Sequence, residues 1–130
     1  MQKAVVARFE IAANDPEVLK RFYAGLFGWP IRTRDTGAWT AFVIEPNGAG
    51  IEGAINHAEQ GGVRFIVEVD DVLENLCYAE ELGGRVIELP HETIIAGRRV
   101  TVASFADPEG NRVGLSNGLE QFTSAREMPA

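Results

Sequence analysis

Along Val6-Ala7-Arg8-Phe9-Glu10-Ile11-Ala12, Phe9 and Ile11 fall on one parity, and Arg8, Glu10 and Ala12 on the other. A period of two predicts a strand with two unlike faces. The period then becomes helical. Val18/Leu19, Phe22, Leu26 and Phe27 form an apolar stripe, with Asn14 or Asp15 as cap, Pro16 and Glu17 in the first turn and Gly28 as stop. Three shorter strand-like runs follow at 30–34, 38–45 and 50–56, broken by Thr36-Gly37 and Pro46-Asn47-Gly48.

The pattern recurs after 56 positions: Arg8-Phe9 falls on Arg64-Phe65, Ile11 on Val67, Asp15 on Asp71, Leu26 on Leu82 and Gly28 on Gly84. In the repeat Phe65, Val67 and Val69 alternate with Arg64, Ile66 and Glu68. A helix capped by Asp70 or Asp71 carries Val72, Leu76, Ala79 and Leu82 and stops at Gly83-Gly84. Strands are expected at 85–89, 98–106 and 112–116, the last two joined by a hairpin turn at Asp107-Pro108-Glu109-Gly110-Asn111. The fold class is α+β, two tandem β-α-β-β-β modules over about 4–58 and 62–117, joined at Gln60-Gly61-Gly62 and followed by a tail at 118–130. Each helix covers one face of its strands. The other faces, with Arg8, Glu10, Arg64 and Glu68, are expected to enclose a central cleft between the modules.

Composition narrows the function. The 130 residues are 45% hydrophobic and 24% charged, as in globular domains, and one cysteine, Cys77, excludes an internal disulfide framework. A formal charge of −7 argues against nucleic acid and anionic membranes as partners. No apolar run approaches a bilayer span, and the first residues lack the apolar stretch of a signal peptide, so a cytoplasmic protein is expected.

Several segments together carry a resemblance: Arg8-Phe9-Glu10-Ile11, Asn14-Asp15-Pro16-Glu17, Phe22-Tyr23, Leu26-Phe27-Gly28-Trp29, Val67-Glu68-Val69-Asp70-Asp71-Val72, Leu82-Gly83-Gly84 and Asp107-Pro108-Glu109-Gly110-Asn111. Over residues 5–117 the chain resembles the vicinal oxygen chelate superfamily of glyoxalase, bleomycin-resistance and extradiol-dioxygenase proteins, and most of all its bacterial lactoylglutathione-lyase-related branch. The resemblance implies a partly open barrel of paired modules, usually completed by homodimerisation. It also implies a divalent ion held near the start of each module's first strand and by a Glu on each module's last strand. Those positions fall on Arg8, Arg64, Glu52 and Gly114. Guanidinium has no lone pair to give and repels a cation, so no metal and no other cofactor is expected.

Arg8, Glu10, Glu52 and Arg64 are therefore expected to bind a small organic molecule, with the arginines presenting forked donors to an anion or a polarised carbonyl. The plainer reading is that Arg8 pairs with Glu10 or Glu52, and Arg64 with Glu68, neutralising charge. Three other functions stay open. One is a metal-dependent glyoxalase-like lyase or dioxygenase-type enzyme with ligands such as Glu10, Glu52 and His91. Another is a metal-free enzyme with Glu10 or Glu52 as base. The last is an interaction module acting through its dimer surface. His57 and His91 fall in loop-like contexts, Cys77 reads as a packed or half-buried thiol, and Trp29 and Trp39 as core or cleft walls. The Asn47-Gly48-Ala49-Gly50 run lacks the helix and Lys-Ser/Thr of a phosphate loop and reads as a turn.

Overall fold

The structure is a computed structural model describing residues 4–35, 40–46, 48, 50–59, 62–95 and 97–118. Its elements run β1 (Val5–Ala13), α1 (Pro16–Phe27), β2 (Ile31–Asp35), β3 (Thr40–Ile44), β4 (Glu52–His57), β5 (Gly62–Glu68), α2 (Val72–Glu81), β6 (Arg85–Ile95), β7 (Arg98–Ala106) and β8 (Arg112–Ser116). Two β-α-β-β-β runs are thus present, and the fold is α+β. Residues 8–64 form one compact unit, and the described residues from 65 onward form a second together with residues 4–7.

In the first unit the strand order is β2-β3-β4-β1, with β1 parallel to β4 and the other pairs antiparallel. Ile11, Ala13, Phe42, Ile44 and Ile55 make the core, with Phe9, Leu19, Tyr23, Trp29 and Ile31 packed on it. Each buried aliphatic side chain contributes about 1.5–3 kcal/mol against the entropy of ordering the chain. Asp15 caps α1, its side chain accepting from the Val18 N–H at 3.4 Å. Pro16 opens the first turn, and Gly28 ends the helix at φ 68°, where a β-carbon would be strained.

The face that α1 turns to the sheet differs from the expected stripe. Val18, Phe22, Leu26 and Phe27 are 49–60% exposed, while Leu19 and Tyr23 reach the core. Tyr23 stacks on Trp29 with ring centroids 5.3 Å apart. Two apolar stripes lie side by side on this helix, and the Trp29 aromatic cluster selects which one packs. Gly53 is required beside it, because a β-carbon there would collide with the Phe9 ring.

The second unit repeats the plan with the order β5-β8-β7-β6 and a parallel β5–β8 pair. Val69, Val72, Leu76, Ala103 and Leu115 form its core. Asp71 caps α2 by accepting from the Glu74 N–H at 2.9 Å. Leu82 is 66% exposed rather than part of the packed stripe, because it is the C-cap, where the helix has already ended. Cys77 is exposed, not packed. The β6 strand also runs past its expected end at Leu89, through Pro90, to Ile95. Pro90 has no N–H for a ladder, and it is tolerated on a terminal strand where the register shifts between Glu88 and His91. His91 thus lies in a strand, paired with Val102, rather than in a loop. The joint residues 60 and 61, Trp39 and the tail from 119 lie outside the described residues. No helix among the described residues is long and apolar enough to cross a membrane.

The expected hairpin turn is built on the Asp107 carboxylate. It accepts from the N–H groups of Glu109 and Asn111, each at 2.9 Å, and from Asn111 Nδ2. The Asn111 side-chain and backbone donors hold its pKa below the ordinary 3.8. A lowered folded-state value stabilises the fold above the unfolded pKa and loses that contribution as pH falls through the folded one. Melting temperature is therefore expected to fall as pH drops below about 4, and to fall less steeply in Asp107→Asn than in the parent. Parallel acid limbs would show that this turn does not sense the carboxylate's charge.

Candidate functional site

Because Phe9, Ile11 and Ala13 turn toward α1, period two turns Arg8, Glu10 and Ala12 to the opposite, helix-free face. On β4, Gly53 and Ile55 are buried on the helix side, so Glu52, Ala54 and Asn56 share the helix-free face. The parallel register sets Arg8 beside Glu52, Glu10 beside Ala54 and Ala12 beside Asn56. All four residues singled out from the sequence belong to this first unit.

Three of them are joined. Arg64 donates from Nε to Glu10 Oε1 at 2.9 Å, and its Nη2 lies 2.8 Å from the same oxygen. Arg8 Nη2 approaches the other oxygen, Oε2, at 3.5 Å. The Glu10 side chain is 12% exposed, Arg8 17% and Arg64 34%. One shielded carboxylate thus bridges two guanidinium groups, and charge-assisted bonds of this kind are about twice as strong as neutral ones. Glu52 neighbours Arg8 in the register but makes no hydrogen bond or ion pair among the described residues. Farther along the face, Arg32 on β2 pairs with Glu45.

Sequence reasoning missed Asn56. Its Oδ1 is buried and has no hydrogen-bond partner among the described residues. The signal was parity alone: Asn56 lies four residues beyond Glu52 on one strand and so presents to the same face. Buried acceptors are satisfied in the great majority of cases, so such an atom calls for an explanation.

The donor set does not fit a divalent ion. Glu10–Ala54 and Ile66–Gly114 are equivalent pairs under the 56-residue repeat, so the register puts Ala54 at the last-strand position in the first unit, with Glu52 two pairs earlier. The metal-ligand positions therefore hold Arg8, Ala54, Arg64 and Gly114. Guanidinium, methyl and hydrogen supply no electron pair. At Gly114 a β-carbon would lie 2.5 Å from Ile66 Cδ1, so a longer side chain meets Ile66 there. Among the described residues no group of three or more His, Cys, Asp or Glu side chains is placed to share an ion.

Comparisons with known proteins agree on the fold. A family profile described as a glyoxalase-like domain matches residues 8–116. A hypothetical protein from Bacillus halodurans C-125 superposes with a TM-score of 0.61 at 17% identity, over 88% of this chain and 94% of that one. A glyoxalase/bleomycin resistance protein/dioxygenase superfamily member from Vibrio splendidus 12B01 gives 0.59 at 12% identity, over 89% and 98%. A methylmalonyl-CoA epimerase variant from Streptomyces coelicolor, in complex with 2-nitronate-propionyl-CoA, gives 0.55 at 15% identity, over 85% and 94%. No curated protein sequence matches the chain.

Proposed function

The chain belongs to the glyoxalase-like domain family, and from that premise we propose that it binds a small organic molecule on the helix-free face of its first module, without a divalent metal. Arg8, Glu10, Glu52 and Arg64 carry the binding. The supporting observation is the Glu10 carboxylate shared by Arg8 and Arg64 at positions where the family's metal enzymes place electron-pair donors. A carboxylate already engaged by two cations is a poor ligand for a third. The guanidinium groups take over the work of a Lewis acid by presenting fixed N–H donors to an anionic or polarised oxygen. We place the protein in the cytoplasm as a homodimer, a single domain built of the two modules.

Protein purified without an affinity tag is expected to carry no stoichiometric Zn, Ni, Mn or Fe. A screen of small carboxylates is expected to raise its melting temperature by mass action, unchanged by a chelator. Arg8→Met is expected to lose that response while keeping the parent's unliganded melting temperature to within a few degrees. A stoichiometric metal with chelator-sensitive binding would overturn the proposal.

A further inference from the structure

On the helix-free face of the first unit, two neighbouring side chains of opposite charge do not pair with each other. Arg8 and Glu52 are partners in the parallel register of β1 and β4, so their backbones lie one strand spacing apart, about 4.8 Å. Arg8 turns along its own strand instead. Among the described residues its one hydrogen bond is the 3.5 Å contact of Nη2 with Glu10 Oε2. A guanidinium has five N–H donors, and the Arg8 side chain keeps 17% exposure. Glu10 is committed to Arg64 at 2.8 and 2.9 Å and only grazes Arg8. Glu52 is half-buried and makes no hydrogen bond or ion pair among the described residues.

Charge limits what this pair can accept. Arg8 and Arg64 bring two positive charges and Glu10 and Glu52 two negative ones, so the four sum to zero. A lone anion docked on Arg8 lies beside the Glu52 carboxylate, which repels it, and a lone cation on Glu52 lies beside Arg8. A molecule that carries both charges on neighbouring atoms is attracted at both ends and leaves the four-residue sum unchanged. Neither side chain is sealed off: Arg8 and Glu52 both keep access to solvent, so both can touch a bound molecule. Ala54, the next residue of β4 on this face, is also partly exposed and presents only a methyl group, leaving room beside Glu52 for a small substituent.

We propose that the ligand class is a small zwitterion of the α-amino-acid type, its carboxylate on the Arg8 guanidinium and its ammonium on the Glu52 carboxylate. The inference rests on the binding face proposed above and selects, among small carboxylates, those that carry a cation one carbon away. It gives Glu52 a specificity-determining role: it accepts a charged donor beside the carboxylate and disfavours a ligand that brings negative charge alone.

Two probes of nearly equal shape separate the possibilities at neutral pH: L-alanine, with an ammonium beside its carboxylate, and L-lactate, with a hydroxyl there. Binding is followed by chemical-shift changes and titration at millimolar concentration. The parent chain is expected to prefer alanine by about tenfold, the usual size of one hydrogen bond between charged groups. Glu52→Gln keeps the shape of the side chain and removes its charge, and it is expected to bind both probes alike. Arg8→Met is expected to lose both. The preference within the parent needs no variant to fold, so a folding defect in either variant does not remove the test. Equal binding of both probes by the parent, or tighter binding of lactate, would overturn the ligand class while leaving the binding face standing. If neither probe binds, the class and the face both fail. A preference for alanine that survives in Glu52→Gln, or binding that survives in Arg8→Met, places the contacts elsewhere and the inference is wrong.

Discussion

Ile55→Ala is expected to cost about 2–5 kcal/mol of unfolding free energy, the usual range for emptying a packed aliphatic site. Ile55 is 0% exposed and sits on β4 between antiparallel β3 and parallel β1, in register with Phe42 and Ile11. Strands on both sides hold the site open, so neighbours cannot collapse into the space and the cavity penalty adds to the transfer loss. Urea unfolding checks this: the midpoint should fall with the slope m unchanged. A loss below about 1 kcal/mol would mean that the first unit's core is looser than its packing indicates. The substitution also bears on function, because Ile55 lies between Ala54 and Asn56 and fixes which way both neighbours face.

The next largest effect is expected from Glu10→Gln. Removing one member of a fully buried charge group costs about 3–5 kcal/mol, because the remaining charges stay without their partner. Here the two guanidinium groups are 17% and 34% exposed, so solvent screens part of the loss and about 1–3 kcal/mol is expected. The sign is clear: two like charges lose the anion between them. Added salt should recover part of the stability in Glu10→Gln and little in the parent. The double variant Glu10→Gln/Arg64→Met should be more stable than the sum of the two single losses implies, since the two sites share one interaction. Strict additivity would show that the short Glu10–Arg64 contact contributes nothing to folding.

Much of the fold was legible because it rests on local signals. The repeat, Asp15 and Asp71 as caps, Gly28 as stop, the strand parity of Phe9 and Ile11, and the Asp107 turn each depend on neighbours a few residues away. The misses are of another kind. The apolar residues of α1 form two adjoining stripes, and local sequence does not say whether Leu19 and Tyr23 or Val18 and Phe22 will meet the sheet. Pro90 reads as a strand end unless it is known that β6 lies at the end of its sheet, where a missing N–H is tolerated.

For the site, strand parity alone puts Arg8, Glu10 and Ala12 on one face of their strand, and the family resemblance puts arginines at both first-strand metal positions. A side chain's direction in a strand, a motif match and a guanidinium's lack of lone pairs need no knowledge of distant neighbours. That β1 lies parallel to β4, with Arg8 beside Glu52, follows from how the strands pack. Packing also makes Glu10 serve both arginines, matches Ala54 rather than Glu52 to Gly114, and buries Asn56 Oδ1 without a donor among the described residues. Each of these depends on register or on contacts between residues far apart in the chain. Both are set by how whole strands pack, so no window of neighbouring residues contains them.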